Sequence, residues 1–361
     1  RQFKDMLDYV SMQEVVYGCI YRFIRFFVKR ICFFVQFICG KPRDLESAIV
    51  VGHGLLGVTQ ALKLPVYIGS VKQSLQPVEV YDLTFANPLT FAAYESNLRL
   101  LNLFFRLGIG GGCYKTMMVD SRLGNARPRI QEIKYNNNVA LVNAMGLPGY
   151  GAKASIDAIL ASELCEYGRP LGLSLGGESP LEYVDTFNVY DQVIGANTYP
   201  FYYEINMSCP NTDKGKQLAQ DVTLLADILT LLRQKTKRVI SVKVSPDQPL
   251  EQLHLIADML TGYESMILNI GNTQLKTCEQ LGLPPQALSR GAGGLSGRPL
   301  FEKTAQLVGQ LNQHNVVLLA TGGIDDSAKV RHVLDQGASL VGMASALVFN
   351  PYCIPKMLKQ L

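Results

Sequence analysis

A regular alternation of short apolar runs and amphipathic stretches from residue 77 onward restricts the fold of this chain more than any other feature. Each apolar run is followed by a polar or glycine-rich loop and then by a segment with helical spacing, such as VTLLADILTLLRQKTK or LEQLHLIADMLTGY. Open sheets rarely repeat such a unit so evenly, so eight repeats predict a closed parallel barrel. The predicted strands lie in LTFANPLTFA, GIGGGCYKT, PLGLSLGG, FYYEINMSC, RVISVKVSP, SMILNIGN, VVLLATGGI and LVGMAS.

The predicted fold class is therefore α/β, a TIM (β/α)8 barrel with an N-terminal helical extension. With 361 residues, the chain is long enough for a barrel of about 250 residues and an extension. We predict a membrane-associating helical segment over 1–42, a second helix and connection over 43–76, and the catalytic barrel over 77–361. The net charge of +4 and the absence of a basic block in the barrel give no indication of a nucleic-acid partner. The scattered cysteines are typical of reduced thiols and not of a zinc site.

Residues 15–39 form a long apolar stretch that four cations interrupt: Arg22, Arg25, Lys29 and Arg30. Each cation would cost roughly 2.5–3.5 kcal/mol at the centre of a spanning helix, which disfavours a transmembrane segment. At 100° per residue one face carries Arg22, Arg25, Lys29 and Gln36. The opposite face carries Ile20, Phe23, Phe27, Ile31, Phe34 and Ile38. This pattern predicts a helix lying in the membrane surface with its cations toward anionic lipid. The alternative is a helix whose apolar face packs on its own barrel.

The segment GHGLLG matches the G-x-G-x-x-G dinucleotide fingerprint at Gly52, Gly54 and Gly57. That fingerprint requires a preceding strand and a following helix. Here Asp44 precedes apolar residues at helical spacing, and Pro65 soon ends the pattern. We therefore predict a glycine-containing second helix and treat the match as a coincidence.

Polar side chains are concentrated where the predicted strands end. A TIM barrel places its chemistry at the carboxyl ends of its strands, and such groups are costly to bury without a ligand. One asparagine would be an ordinary loop residue, but the whole set predicts an active site at this rim. The residues are Lys115, Asn206, Cys209, Asn211, Lys243 and Asn272.

The loops after the seventh and eighth strands are the usual phosphate site of this fold. They contain Gly322 and Gly323 in ATGGIDD, and Ala344 and Ser345 in MASA. Backbone amides at glycines and a hydroxyl group can bind a phosphate, and GGLSG (residues 293–297) adds a further glycine-rich approach. We therefore expect a phosphorylated cofactor over the barrel mouth, and flavin mononucleotide (FMN) has the right size.

Several segments together resemble the dihydroorotate dehydrogenase family, over roughly residues 77–350 and in the family's order. They are INMSCPNT, KTMMVDSRLGNARPR, NAMGLPGYG, VKVSPD, NIGNT, GAGGLSGRPLFEK and LLATGGIDDSAKVRHVLDQGAS. The resemblance implies oxidation of dihydroorotate to orotate in pyrimidine biosynthesis, with hydride transfer to FMN. It also implies that Cys209 is the base that removes the proton from the substrate. A thiol pKa of about 8.5 needs only modest tuning for this role near neutral pH.

The resemblance further implies which residues bind the substrate and the flavin. The substrate ring would be lined by Lys115, Asn143, Met145, Gly146, Leu147, Asn206, Asn211 and Asn272. Asparagine side chains suit a diamide ring because each offers both an acceptor and a donor. The flavin would contact Ala92, Ala93, Lys115, Thr116, Asn206, Lys243, Gly293, Gly294, Gly322, Gly323, Ala344 and Ser345. No metal ligand is predicted.

The chain combines features of two branches of the family. Its catalytic cysteine resembles the soluble branch, whereas GGLSG and the two N-terminal helices resemble the membrane-bound branch. The loop AAYESNLR lacks a lysine that the membrane-bound branch carries there. The first hypothesis is therefore a quinone-dependent enzyme, peripherally bound at the cytoplasmic face of a bacterial inner membrane or at an organelle inner membrane. The alternatives are fumarate or another soluble acceptor, a different dihydropyrimidine substrate, and a non-enzymatic flavin-binding scaffold. The oligomeric state stays open.

Overall fold

Eight parallel strands close into a barrel, as the sequence predicts. The computed structural model describes residues 2–63, 76–207 and 221–361, with side chains from Glu14 onward. Each barrel strand pairs with the next in chain order, and the last pairs with the first. Their side chains are largely buried on both faces, as expected when helices cover the outside of the sheet. The barrel strands are β3 (Leu89–Phe91), β4 (Gly111–Met117), β7 (Leu171–Leu175), β8 (Phe201–Asn206), β9 (Ile240–Val244), β10 (Met266–Ile270), β13 (Val317–Thr321) and β14 (Leu340–Met343).

The first predicted strand, LTFANPLTFA, is divided in two. Its first part is β2 (Leu83–Phe85), which forms an antiparallel hairpin with β1 (Val78–Val80). Only the second part, β3, joins the barrel. Between them Asn87 donates to the Gly108 carbonyl (2.8 Å) and accepts from the Leu89 amide (3.1 Å), while Pro88 has no N–H for a ladder. Hydrophobic residues of the hairpin pack against the amino-terminal end of the barrel and close it.

Amphipathic helices surround the barrel and bury one apolar face each. The two helical segments predicted by periodicity are confirmed as α6 (Val222–Arg233) and α7 (Leu250–Thr261). The others are α3 (Leu98–Arg106), α4 (Ala152–Leu160), α5 (Pro180–Ile194), α8 (Phe301–Leu311), α9 (Ser327–Asp335), α10 (Ser345–Phe349) and α11 (Cys353–Gln360).

A four-stranded antiparallel sheet, which we did not predict, contributes to the wall of the barrel mouth. It contains β5 (Ile130–Tyr135), β6 (Asn138–Asn143), β11 (Gln274–Thr277) and β12 (Ala292–Gly297), in the order β11-β12-β6-β5. The β5–β6 hairpin turns at Asn136 (φ 47°) and Asn137 (φ 60°), which is the left-handed region that asparagine tolerates well. This sheet carries Asn143, one of the predicted substrate-binding residues, to the cavity.

The two predicted N-terminal helices are confirmed as α1 (Gln2–Ile38) and α2 (Glu46–Ala61). Gly52, Gly54 and Gly57 lie inside α2, so the dinucleotide fingerprint is a coincidence, as expected. Asp44 accepts a hydrogen bond from the Glu46 amide (3.1 Å) at the start of this helix.

The prediction that the cationic face of α1 turns toward lipid is wrong for two of its cations. Arg25 and Lys29 each donate to the Glu132 carboxylate at 2.5 Å, and Gln36 donates to the Asp44 carbonyl at 2.8 Å. This face packs inward because β5 presents an acidic partner to it. Arg22 stays exposed.

The apolar face of α1 is exposed, which excludes the alternative that this face packs on the barrel. The six predicted residues are all exposed, although Ile20 also borders the cavity described below: Ile20, Phe23, Phe27, Ile31, Phe34 and Ile38. Phe23 and Phe34 expose 65% and 63% of their surface. Val50 and Val58 of α2 are exposed as well. Within the described ranges no helix has the length and hydropathy needed to cross a bilayer.

Candidate active site

One continuous cavity of 1080 Å³ runs from the carboxyl ends of the barrel strands to the space between α1 and α2. Its inner end is polar and is lined by residues at the ends of β4, β6, β8, β9 and β10. Its outer end is mainly apolar and is lined by Tyr17, Ile20, Tyr21, Ile24, Val28, Ile49 and Leu56. The cavity therefore connects a site for a polar ligand with a passage suited to an apolar one.

A hydrogen-bond chain fixes the polar inner end. Asn206 donates to Thr116 Oγ1 at 2.9 Å, and Thr116 Oγ1 lies 2.8 Å from Ser174 Oγ. The backbone carbonyl of Asn206 accepts a hydrogen bond from the Tyr183 hydroxyl at 2.8 Å. The Asn272 amide nitrogen lies 3.5 Å from Asn206 Oδ1, so the two asparagines are neighbours. Side chains held in this way are pre-oriented for a planar ligand with alternating donors and acceptors.

Two lysines from different strands of the barrel line this cavity. Lys243 on β9 is almost fully buried and is paired in register with Asn206 on β8 and Asn269 on β10. Lys115 on β4 also lines the cavity. Burial lowers the pKa of the Lys115 ammonium below its ordinary value, and the nearby Glu95 carboxylate opposes this shift.

The glycines after β13 allow the backbone to line the cavity closely. Gly322 and Gly323 have φ values of 136° and 74°, which favour glycine. A Cβ at Gly322 would lie 2.6 Å from Thr304 Oγ1, and one at Gly323 would lie 2.5 Å from the Phe301 nitrogen. Ser345, at the start of α10, lines the same part of the cavity. The hydroxyl oxygen of Thr321 is buried and has no hydrogen-bond partner among the described residues. This set provides donors of the kind that a phosphorylated flavin needs.

Most of the predicted site residues in the described part of the chain line this one cavity. They are Ala92, Ala93, Lys115, Thr116, Asn143, Met145, Leu147, Asn206, Lys243, Asn272, Gly322, Gly323, Ala344 and Ser345. Gly146 is not part of the lining, and its φ of 70° shapes the turn between Met145 and Leu147. Cys209 and Asn211 lie outside the described residues.

Gly293 and Gly294 occupy a different place from the one predicted. Both are in β12, where Gly294 pairs with Asn143 of β6, and neither lines the cavity. A Cβ at Gly294 would collide with the Thr273 hydroxyl, so this glycine allows the strand to approach Thr273 closely. Their neighbours Ser296 and Gly297 do line the cavity.

Several charged residues of the cavity wall escaped the sequence analysis. Glu46 on α2 binds Arg129 through two hydrogen bonds of 2.6 and 2.7 Å. His53 on α2 places Nε2 3.3 Å from a carboxylate oxygen of Glu95 in the loop after β3. Glu95 could have been noticed because its loop, AAYESNLR, lacks the lysine that the membrane-bound branch carries there. No local feature of the sequence indicates that its partner is His53 on α2.

The sequence model of the family described as Dihydroorotate dehydrogenase matches residues 75–361. The chain belongs to the dihydroorotate dehydrogenase family. The predicted family and enzyme class are thereby confirmed.

Two relatives illustrate the extent of the similarity. A protein of Hamiltonella defensa subsp. Acyrthosiphon pisum is 32% identical over 301 residues, covering 78% of this chain and 85% of its own length. A protein of Thermus thermophilus is 29% identical over 328 residues, covering 87% of this chain and 91% of its own length. Both are named dihydroorotate dehydrogenase (quinone), in agreement with the predicted quinone-type enzyme.

A solved structure of a dihydroorotate dehydrogenase supports the fold. The crystal structure of DHODH in complex with ferulenol from Eimeria tenella has a TM-score of 0.70 to this chain at 23% sequence identity. The match covers 86% of this chain and 90% of that one. The matched part of this chain is longer than the barrel region, so the match includes part of the N-terminal helical region.

Proposed function

We propose that this protein oxidises dihydroorotate to orotate in pyrimidine biosynthesis, on bound FMN, and passes the electrons to a membrane quinone. The observation that carries the proposal is the continuity of the cavity. A polar end built by barrel strands and an apolar end built by two helices open into each other. A polar substrate and an apolar acceptor can therefore reach the two ends of one flavin site.

The residues of the cavity fit a flavin mononucleotide. Gly322, Gly323 and Ser345 offer backbone and hydroxyl donors for the phosphate, and Ala92 and Ala93 leave room beneath a flat ring. Lys243 supplies a buried positive charge at the ring, which stabilises negative charge that develops there. When bound, the flavin accepts the hydride from the substrate.

The asparagines and Lys115 bind the substrate ring. Asn143, Asn206 and Asn272 converge from β6, β8 and the end of β10 and present amide groups to the ring edge. Asn211 belongs to this set by family resemblance. Lys115 faces both substrate and flavin, and its lowered pKa reflects a desolvated site in which a bound carboxylate interacts strongly with it. The backbone of residues 145–147 closes one side.

Cys209 acts as the base of this reaction. Its thiolate takes a proton from one ring carbon, while the neighbouring carbon loses a hydride. The resulting thiol then releases this proton to water, which regenerates the thiolate. The residue follows β8 directly in sequence, and β8 ends at Asn206 in the polar end of the cavity.

The exposed apolar face of α1 and α2 supports attachment of the protein to a membrane. We propose peripheral attachment at the cytoplasmic face of a bacterial inner membrane or at an organelle inner membrane. Phe23, Phe27 and Phe34 would enter the acyl boundary, which removes their surface from water at about 25 cal/mol per Å². The outer end of the cavity between α1 and α2 then opens toward the lipid that dissolves the quinone.

Anaerobic stopped-flow measurement of flavin absorbance tests the proposal. We expect dihydroorotate to bleach the flavin rapidly, and a short-chain quinone to restore the absorbance faster than fumarate does. A flavin-loaded protein that dihydroorotate does not bleach would refute the substrate. Reoxidation by fumarate at least as fast as by quinone would refute the acceptor.

A further inference from the structure

We propose that His53, held by Glu95, is the proton donor for reduction of the acceptor. This inference rests on the proposed quinone acceptor and adds a residue to the second half of the reaction. Both side chains line the cavity: His53 is on α2, which lines the apolar end, and Glu95 interacts with Lys115 at the polar end. They come from different parts of the chain, α2 and the loop after β3, and meet only in the folded protein.

Glu95 is held as a carboxylate at the start of α3. One of its oxygens accepts from the amides of Ser96 and Asn97 at 2.8 Å each. Burial alone would raise the pKa of Glu95, but His53 and these two amides outweigh it and leave the pKa below its ordinary value. The amino-terminal end of a helix also favours negative charge. Glu95 is therefore a fixed anion, and it cannot turn away without losing both amide bonds.

The Glu95 carboxylate determines which nitrogen of the His53 ring carries a proton and which faces a ligand. The second Glu95 oxygen lies 3.3 Å from His53 Nε2, so a proton on Nε2 is favoured. Nδ1 has no hydrogen bond to the described part of the chain, so it remains for a ligand in the cavity. The ring is partly exposed, which gives water a route to return the proton after each turnover.

The other cations of this stretch of wall are engaged elsewhere. Arg25 and Lys29 share the Glu132 carboxylate, and Arg129 is bound by Glu46 and by two backbone carbonyls. An arginine does not release its proton in proteins, and imidazole is the group that gives and recovers a proton near neutral pH. Among the described residues at this part of the cavity, His53 therefore has the chemistry of a proton donor.

The proton balance of the second half-reaction requires such a group. A quinone takes up two electrons and two protons to become a quinol. The bound flavin would supply both electrons and one proton, and His53 would supply the other proton to a quinone carbonyl oxygen. Water then reprotonates the imidazole. A positioned general acid contributes about 10²–10⁴-fold to the rate of such a step.

The experiment separates the two half-reactions in the full-length, flavin-loaded protein. His53→Asn is reduced anaerobically with dihydroorotate and then mixed either with a short-chain quinone or with ferricyanide, which accepts electrons without protons. We expect flavin reduction and ferricyanide reoxidation to stay within about twofold of the wild type, and quinone reoxidation to slow by about a hundredfold. His254→Asn, on α7 and outside the cavity lining, is the matched control and should leave all three rates unchanged.

The pH profile identifies the proton step. In the wild type, quinone reoxidation should depend on pH because it consumes a proton, and His53→Asn should remove this dependence. Glu95→Gln should slow quinone reoxidation about tenfold, because the neutral amide no longer provides the anion that holds His53. Among the described residues, the other ionisable groups that interact electrostatically with Glu95 are Tyr21, Tyr94, Tyr114 and Lys115.

The outcomes are distinguishable. Quinone reoxidation of His53→Asn within twofold of the wild type, or an equal loss with quinone and ferricyanide, overturns the role of His53. Failure of the wild type itself to react with the quinone refutes the proposed acceptor and this inference with it. Flavin content and melting temperature confirm that the variants fold, and His53→Gln replaces His53→Asn if the latter does not retain flavin.

Discussion

The barrel mouth and the N-terminal helical layer enclose one cavity, yet their surfaces are arranged in opposite ways. At the barrel mouth, polar side chains such as Asn206 and Lys243 are buried and held by hydrogen bonds or by strand register. In the helical layer, apolar side chains such as Phe34 are exposed while the cations Arg25 and Lys29 turn inward. Both arrangements cost free energy in water alone. The proposed polar ligand would offset the first cost and the proposed lipid surface the second, so a mutation in one region is expected to leave the function of the other unchanged.

The largest effect is expected at the barrel. Cys209→Ala should still bind flavin and vesicles, but flavin reduction by dihydroorotate at pH 7 should slow by about 10²–10⁴-fold because the base is lost. Stopped-flow absorbance measures this rate, and Cys165→Ala outside the cavity lining is the control. Cys209→Ser should move the pH optimum upward, since a hydroxyl is a much weaker acid than a thiol. A near-normal rate in Cys209→Ala would remove Cys209 from this role.

A second change tests the flavin cradle. Gly323→Ala introduces a Cβ 2.5 Å from the Phe301 nitrogen at a φ of 74°, which shifts the backbone of the cradle. The affinity for FMN should fall by roughly tenfold to a hundredfold, as measured by fluorescence titration of the flavin-free protein. Gly309→Ala on α8 is the matched control, since its Cβ would have no neighbour closer than 3.6 Å. Unchanged affinity in Gly323→Ala would show that this loop does not hold the flavin.

A third change tests the helical layer alone. Phe34→Ser removes an exposed aromatic side chain from α1 and should weaken binding to anionic vesicles by roughly tenfold, the loss expected from about 1.5 kcal/mol of apolar transfer. Leu255→Ser on α7 is the control, because Leu255 is 60% exposed but lies on the barrel. Flavin reduction should be the same in both variants. If both lose vesicle binding equally, the membrane contact is not at α1.

The smallest effect is expected where the two regions join. Glu132 has a lowered pKa: burial raises it, but the charges and hydrogen bonds of Arg25 and Lys29 outweigh that. A carboxylate with a lowered pKa stabilises the fold above its ordinary pKa of 4.5, and this stabilisation is lost as the pH falls through the lowered value. Glu132→Gln should therefore lower the free energy of unfolding by about 1 kcal/mol at pH 7 and by less at pH 3.

Thermal unfolding at the two pH values measures this difference. The exposed Lys153–Asp157 pair provides the control, and Asp157→Asn should change stability much less because solvent screens that pair. A loss in Glu132→Gln that does not depend on pH would contradict an ion-pair origin.

Much of the barrel and of its site could be predicted because the signals are local. All eight barrel strands coincide with apolar runs in the sequence, and Lys115, Asn206 and Lys243 were found because each stands near a strand end. The β5–β6 hairpin was missed although its Asn136–Asn137 turn is a recognisable signal. The division of LTFANPLTFA was missed because both halves have the same apolar character, and only Asn87 and Pro88 interrupt them.

The sequence by itself determined the barrel, the family, the main polar residues of the site and the two faces of α1. Only the tertiary structure decided which face of α1 turns inward and which residues of α1 and α2 line the cavity. Periodicity records that a helix has two different faces, but the choice between them depends on the surface opposite. Here that surface presents Glu132, which binds Arg25 and Lys29 and leaves the aromatic face outside. The His53–Glu95 pair was decided in the same way, by the packing of α2 against a loop that is distant in sequence.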